Sequence, residues 1–275
     1  MDRTISSVTN TFSFFTQEYR EKMMTEVNIT SQMPSALANN EFVLWFQPQY
    51  KTATNELSGA EVLCRWVKPD GTIFPPTLFI PIAEKNGFIV TLDKLIWRQA
   101  FEKMHKWLDE GLNPAPISVN ISRVSLESDS MVYAIKRLDE EFKIPHHLIH
   151  FEITESAYMH DVDALISRIN AIREMGYSIA MDDFGSGYSS LNSLKDIPLD
   201  MIKLDMGFFN SGSNMDKGGS VISSVIHMAQ ALELITIAEG VETETQANFL
   251  TSIGCDIIQG FLYSKPLCCE DYEKL

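Results

Sequence analysis

Basic residues are scarce in this chain: 22 Lys and Arg stand against 37 Asp and Glu, leaving a formal net charge of -15 over 275 residues. That deficit excludes duplex nucleic acid as a partner, because such binding rests on Lys and Arg neutralising phosphates. It does not exclude a small phosphate ligand held through divalent cations, which invert the local electrostatics of an acidic pocket. Cysteine is sparse as well, and Cys64, Cys255, Cys268 and Cys269 follow neither a zinc-ligand spacing nor the framework of a small disulfide-rich secreted domain. Reduced thiols in a cytoplasmic protein are expected. No apolar run is long enough to span a bilayer, and the polar start with Asp2, Arg3 and Thr4 lacks a signal-peptide hydrophobic region. Glycine is missing from the first 40 residues, and proline appears there only as Pro34. The same stretch carries Phe12, Phe15, Tyr19, Met23 and Val27 at loosely helical spacing, which predicts an N-terminal helical arm or linker over 1–34 and a single domain over 35–275.

Hydrophobic residues make up 45% of the chain, enough for a sizeable core, and they arrive in a repeating order. Short β-branched runs at 42–49, 57–65, 117–121, 149–154, 178–182, 201–205, 235–239 and 257–262 read as strands. Amphipathic stretches at 92–108, 131–142, 162–175, 220–232 and 244–253 read as intervening helices. Eight strands alternating with helices is the count of a TIM-like (β/α)8 barrel. The polar link between the first two strands, 51–56, is too short for a helical crossover, so an antiparallel first strand is expected.

In such a barrel the chemistry sits at the C-terminal ends of the strands. Those ends offer Glu61, Asn120, Glu152, Asp182, Asp183, Lys203, Asp205, Glu239 and Gln259. One aspartate at a strand end is ordinarily a cap or a turn residue, and Asp200 fits that description. Several carboxylates converging on one mouth repel one another unless cations or raised pKa values relieve them. An all-oxygen set with one neutral amide, free of His and Cys, suits Mg2+ or Mn2+ better than Zn2+. Adjacent carboxylates such as Asp182 and Asp183 suit a two-metal site of the kind used for in-line displacement at phosphorus. The Gly185 and Gly187 turn that follows is weak evidence alone, yet its place beside the aspartates fits a metal-positioning loop.

These residues lie in a series of ordered motifs. They are FQPQY at 46–50, GAEVLCRW at 59–66, FIPIAE at 79–84, SVNIS at 118–122, FEITES at 151–156, DDFGSGYSSL at 182–191, IKLD at 202–205, AEGVET at 238–243 and QGFLYSKPL at 259–267. Taken in one register, the stretch 35–267 resembles the EAL domain family of cyclic-di-GMP-specific phosphodiesterases. Val62 replaces the alanine of the family's name-giving motif, beside the ligand position Glu61 rather than at it.

The resemblance implies that Glu61, Asn120, Glu152 and Asp182 hold one metal, and that Asp182 bridges to a second held by Asp183 and Glu239. It makes Lys203, Glu239 and Gln259 catalytic, with Lys203 and Gln259 at the attacking water, and assigns Gln47, Leu63, Arg65 and Asp205 to the substrate and Glu155 to anchoring the 182–191 loop. The reaction it implies is hydrolysis of cyclic-di-GMP to linear pGpG. Some members of the family lose catalytic residues and act as cyclic-di-GMP receptors; the complete carboxylate set here favours an enzyme. A homodimer is expected, coupled through 189–204, and the 20–42 segment resembles a linker from an upstream diguanylate cyclase (GGDEF) or sensory domain.

Overall fold

The structure, a computed structural model, describes residues 17–128, 130–155, 162–184, 197–205 and 215–275. The DDFGSGYSSL loop beyond Phe184, the remainder of the expected coupling segment up to 196, and Phe12 and Phe15 of the arm lie outside the described residues.

The chain enters through helix α1 (Gln17–Ala38) and continues into strands β1 (Phe42–Lys51), β2 (Leu57–Val67) and β3 (Ile73–Phe74). Helices α2 (Pro76–Asn86) and α3 (Ile89–Asp109) precede β4 (Ile117–Ile121), α4 (Arg123–Leu126), α5 (Ser130–Phe142) and β5 (Ile149–Thr154). Then come α6 (Val162–Glu174), β6 (Ser178–Phe184), β7 (Met201–Asp205), α7 (Met215–Ala231), β8 (Ile235–Glu239), α8 (Glu244–Ser252) and β9 (Ile257–Gln259). The short elements β10 (Leu267–Cys268) and α9 (Cys269–Tyr272) complete the fold.

Eight strands close on themselves in the order β1, β2, β4, β5, β6, β7, β8, β9 and back to β1. Strand β1 is antiparallel to both neighbours, β2 and β9, while the junctions from β2 round to β9 are parallel. The expected barrel with an antiparallel first strand is therefore the fold. β3 and β10 extend the sheet outside the closed ring.

Strand alternation sorts the side chains into two populations. Outward residues such as Phe46, Val62, Phe151, Ile179 and Ile202 are buried against the helices in one large core. Inside the ring, Ala180, Met201 and Ile237 form a small apolar cluster with Ile257 packed on it. Two residues further along the same four strands stand Asp182, Lys203, Glu239 and Gln259. A period of two thus lays a polar layer on an apolar plug, which removes water from beneath the polar groups.

Helix α1 runs through Ser35 without a break; Ile29, Met33 and Ala36 are buried while Met23, Met24 and Val27 are exposed. No described helix is long and apolar enough to cross a membrane. Asp200, ahead of β7, accepts the Ile179 backbone N–H at 2.9 Å and pairs with Arg173, a structural tie between β6 and β7. Asp256 repeats the device ahead of β9, accepting the N–H and hydroxyl of Thr236 at 2.9 and 2.7 Å.

Strands β1, β2 and β6 run two residues beyond expectation, to Lys51, Val67 and Phe184. Strand β9 instead stops at Gln259 rather than reaching 262. The reason is Gly260, where a Cβ would lie 2.1 Å from the Val241 carbonyl oxygen. The backbone there turns against Val241, whose N–H donates to Gln259 and whose carbonyl accepts from Leu262.

Candidate metal centre

Lys203 is fully buried, and its position two residues after Met201 places its ammonium just above the apolar plug. Its Nζ lies 2.6 Å from Glu152 Oε2, 2.7 Å from Glu239 Oε1, and 3.2 Å from both Glu61 Oε2 and Asp182 Oδ1. An ammonium has three protons, so four carboxylates cannot all be served. Glu61 is steadied from elsewhere: Gln259 donates to its Oε2 at 2.7 Å and Asn120 to its Oε1 at 3.2 Å. Glu152 Oε1 is left buried with no hydrogen-bond partner among the described residues.

The charge states follow from this crowding. Burial opposes the Lys203 ammonium, but the surrounding Glu152, Glu239, Glu61 and Asp182 outweigh it and hold its pKa well above the ordinary lysine range. Burial pushes Glu152 up to about 8 against the pull of Lys203, with Glu61 and Asp182 adding repulsion. Glu239 is raised well above its ordinary value, again by burial first against the pull of Lys203, with Asp182, Glu61 and Glu152 adding repulsion. Glu61 is also buried, yet Lys203 and the Gln259 and Asn120 amides pull it below the normal range. Asp183 is raised by burial and by its neighbour Asp182.

Adjacent residues of a regular strand point to opposite faces, which would separate Asp182 from Asp183. The β6–β7 register shifts between Met181 and Phe184, and Asp183 takes a left-handed φ of 56°. Aspartate tolerates that conformation better than most residues, and a bulge re-aims a side chain. As a result, carboxylate oxygens of Asp182, Asp183 and Glu239 gather within 4.8 Å of one another. Glu61, Glu152 and Asp182 form a second such group on the same criterion, with Asp182 common to both.

These donors fit a pair of hard divalent cations. The set is oxygen-only, carries more negative charge than one lysine balances, and includes an orphaned buried carboxylate oxygen at Glu152. Buried charge without a partner is costly, and a bound cation removes that cost.

The remaining sequence-derived positions lie around this cluster. In register, Gln47 faces Glu61, Trp45 faces Leu63 and Val43 faces Arg65. The Arg65 guanidinium sits 5.5 Å from the Trp45 ring centroid. Asp205 is paired with Glu239 across β7 and β8. Glu155 is buried just beyond β5, and residues 185–191 of the segment it is expected to anchor lie outside the described residues.

The structure also adds residues that sequence reasoning overlooked. Trp97 of α3 donates its indole N–H to the Asn120 backbone carbonyl at 2.9 Å. Buried Asp93, one turn earlier, accepts from the Ser122 N–H at 3.0 Å and from the hydroxyls of Ser122 and Ser125 at 2.6 Å each. Together they lock the end of β4, where Asn120 stands. Gln49, buried on β1, donates to Gln259 Oε1 at 2.8 Å. It lies two residues from Gln47, so strand alternation alone was a usable signal for it.

Comparison with known proteins places this geometry. The EAL domain profile matches residues 30–266. The bifunctional diguanylate cyclase/cyclic di-GMP phosphodiesterase MucR of Pseudomonas aeruginosa is 34% identical over 262 residues, which are 95% of this chain and 38% of that protein. The cyclic di-GMP phosphodiesterase PdeR of Escherichia coli is 34% identical over 263 residues, 96% of this chain and 40% of its own length. The chain thus spans well under half of these two relatives. A solved structure described as a MucR phosphodiesterase in complex with c-di-GMP superposes with a TM-score of 0.83 at 33% identity, covering 89% of this chain and 99% of that one. Barrel, carboxylate layer and sequence agree: this chain belongs to the EAL domain family.

Proposed function

We propose that this chain hydrolyses one phosphodiester bond of cyclic-di-GMP to give linear pGpG, using Mg2+ or Mn2+ in a two-metal centre. The observation that carries the reading is the buried Lys203 ringed by four carboxylates, with Glu152 Oε1 orphaned. It is supported by 33% identity to a solved phosphodiesterase domain whose full length the chain covers almost completely.

On this reading Glu61, Asn120, Glu152 and Asp182 would hold one cation, and Asp182, Asp183 and Glu239 would hold the other. When bound, the cations supply Lewis acidity at the phosphoryl oxygens and lower the pKa of the attacking water. The water oxygen bonds to phosphorus as the P–O3′ bond breaks, and the 3′ oxygen leaves with a proton. Lys203 holds its carboxylates in place and orients the water, while Gln259 fixes Glu61 through its 2.7 Å hydrogen bond. Arg65 suits a substrate phosphate because its planar fork donates paired hydrogen bonds. Gln47, Leu63 and Asp205 complete the substrate contacts, and Glu155 anchors the loop after β6.

The acting species in this proposal is a homodimer regulated by an upstream GGDEF or sensory domain. Within the expected coupling segment, Ile202 and Leu204 are buried barrel residues, so any surface contribution comes from elsewhere in that segment.

The test is incubation of the purified chain with cyclic-di-GMP and Mn2+ or Mg2+, with and without EDTA, followed by chromatography of the nucleotides. pGpG that appears only with metal supports the proposal. Tight binding of cyclic-di-GMP that stays intact would instead mark a receptor.

A further inference from the structure

We infer that Gln49 is a positioning residue for the metal centre, acting through Gln259 to fix which end of that amide faces Glu61. A glutamine side chain is nearly symmetrical in shape, so packing alone does not decide whether its NH2 or its oxygen points at a neighbour. At Gln259 the choice has consequences. With NH2 toward Glu61 the contact is a charge-assisted hydrogen bond, as observed at 2.7 Å; with oxygen toward it, the contact would be repulsive.

Gln49 holds that choice from the other end of the amide. Its Nε2 donates to Gln259 Oε1 at 2.8 Å, occupying the acceptor end and leaving the donor end for Glu61. Both glutamines are almost wholly buried, at 6% and 3% exposure, so water is poorly placed to substitute. The backbone prepares the contact. Gln49 sits at the seam that closes the barrel, paired with Gly59 of β2 on one side and Gln259 of β9 on the other. Gly59 has no side chain, and a Cβ there would come within 3.2 Å of Gln49 Oε1 and 2.9 Å of the Pro116 carbonyl. The missing side chain leaves the room in which the Gln49 amide lies across the seam. The relay therefore runs from Gln49 to Gln259 to Glu61, and it orients a carboxylate that Asn120 steadies from its other oxygen.

This inference rests on the metal-centre reading above. Partners that orient ligands typically change metal affinity by about 10-fold or more when removed. The experiment is Mn2+ titration of the chain without nucleotide, for the wild type, Gln49→Met, Gln259→Met and the double variant, with melting in EDTA as the folding control. Gln49→Leu provides a second truncation should the Met variant fold poorly. The relay predicts about a 10-fold weaker Mn2+ affinity for Gln49→Met, and no further loss when that change is added to Gln259→Met. Unchanged affinity in both Gln49 variants, or losses that multiply in the double variant, would overturn it. A wild-type chain that takes up no Mn2+ would overturn the metal reading and this inference with it, and the wild-type titration alone separates that failure from the other.

Discussion

Lys203 Nζ stands 2.6 Å from Glu152 Oε2, while the second oxygen of the same carboxylate is buried without a partner among the described residues. One oxygen is thus neutralised by the protein, and the other is available to a cation. Removing the lysine takes away the charge that makes the cluster tolerable. Lys203→Met is expected to destabilise the metal-free chain by about 3–5 kcal/mol, the range for breaking a buried ion pair. Chemical denaturation in EDTA measures this, and a loss below about 1 kcal/mol would contradict a charged lysine at the centre of the cluster.

The pH dependence has a definite sign. Burial, reinforced by neighbouring carboxylates, lifts Glu152 from the ordinary glutamate value of 4.5 to about 8 in the folded chain, and Glu239 is raised in the same direction. A folded pKa above the unfolded one gives stability that is present at low pH and lost as pH rises through the folded value. The metal-free chain should therefore lose stability between pH 4.5 and about 8. Metal ligation needs ionised carboxylates and releases their protons, so the stabilisation by Mn2+ should grow over the same interval. Melting curves with Mn2+ and with EDTA across that range check both trends. A Mn2+ effect independent of pH would contradict them.

Trp97 holds the Asn120 carbonyl from helix α3, although 23 residues separate the two in sequence. Trp97→Phe keeps most of the ring packing and deletes the indole donor. A loss of about 1–3 kcal/mol is expected from the stranded carbonyl, together with weaker Mn2+ binding as the end of β4 loosens. Parallel denaturation and metal titration would show it, and a stability loss with unchanged metal affinity would limit Trp97 to packing.

Arg65 and Trp45 form a cation–π pair beside Leu63 and Gln47. On the proposed substrate reading, Arg65→Ala should raise KM by about 10- to 100-fold with little change in kcat, the range for one lost hydrogen bond to a charged group. Trp45→Ala should move KM the same way by a smaller factor, because the guanidinium loses its platform but not its charge. Steady-state kinetics on both variants decide this, and a fall in kcat alone would place Arg65 elsewhere in the reaction.

Gly260 carries a backbone requirement that no other residue meets. Gly260→Ala sets a Cβ 2.1 Å from the Val241 carbonyl oxygen and must displace Gln259, which precedes it. A cost of at least about 1–3 kcal/mol is expected, read by thermal or chemical denaturation.

What the sequence revealed, and what it did not, follows from the range of the interactions. Strand alternation is local, so the polar ends Glu61, Glu152, Lys203 and Glu239, and the apolar Met201 and Ile237 two residues before the last two, were legible. The short 51–56 link made the antiparallel first strand legible for the same reason. The depth of Lys203 was not, because its burial depends on Ala180, Met201 and Ile237 closing beneath it from three strands. Nor was the convergence of Asp182 and Asp183, which needs a bulge and a left-handed φ that two adjacent aspartates do not announce. Trp97 and Asp93 look like ordinary helix residues until α3 is packed against the end of β4. The end of β9 was misplaced because the constraint on Gly260 comes from Val241, a contact across a loop.

The most direct test of the central claim compares the wild type with Glu61→Ala in the same cyclic-di-GMP assay with Mn2+, alongside metal titration of both. The account predicts that the wild type forms pGpG while Glu61→Ala, deprived of a carboxylate shared by Lys203, Asn120 and Gln259, loses both turnover and tight metal uptake. Equal pGpG formation by the two, or intact cyclic-di-GMP with a wild type loaded with metal, would contradict it.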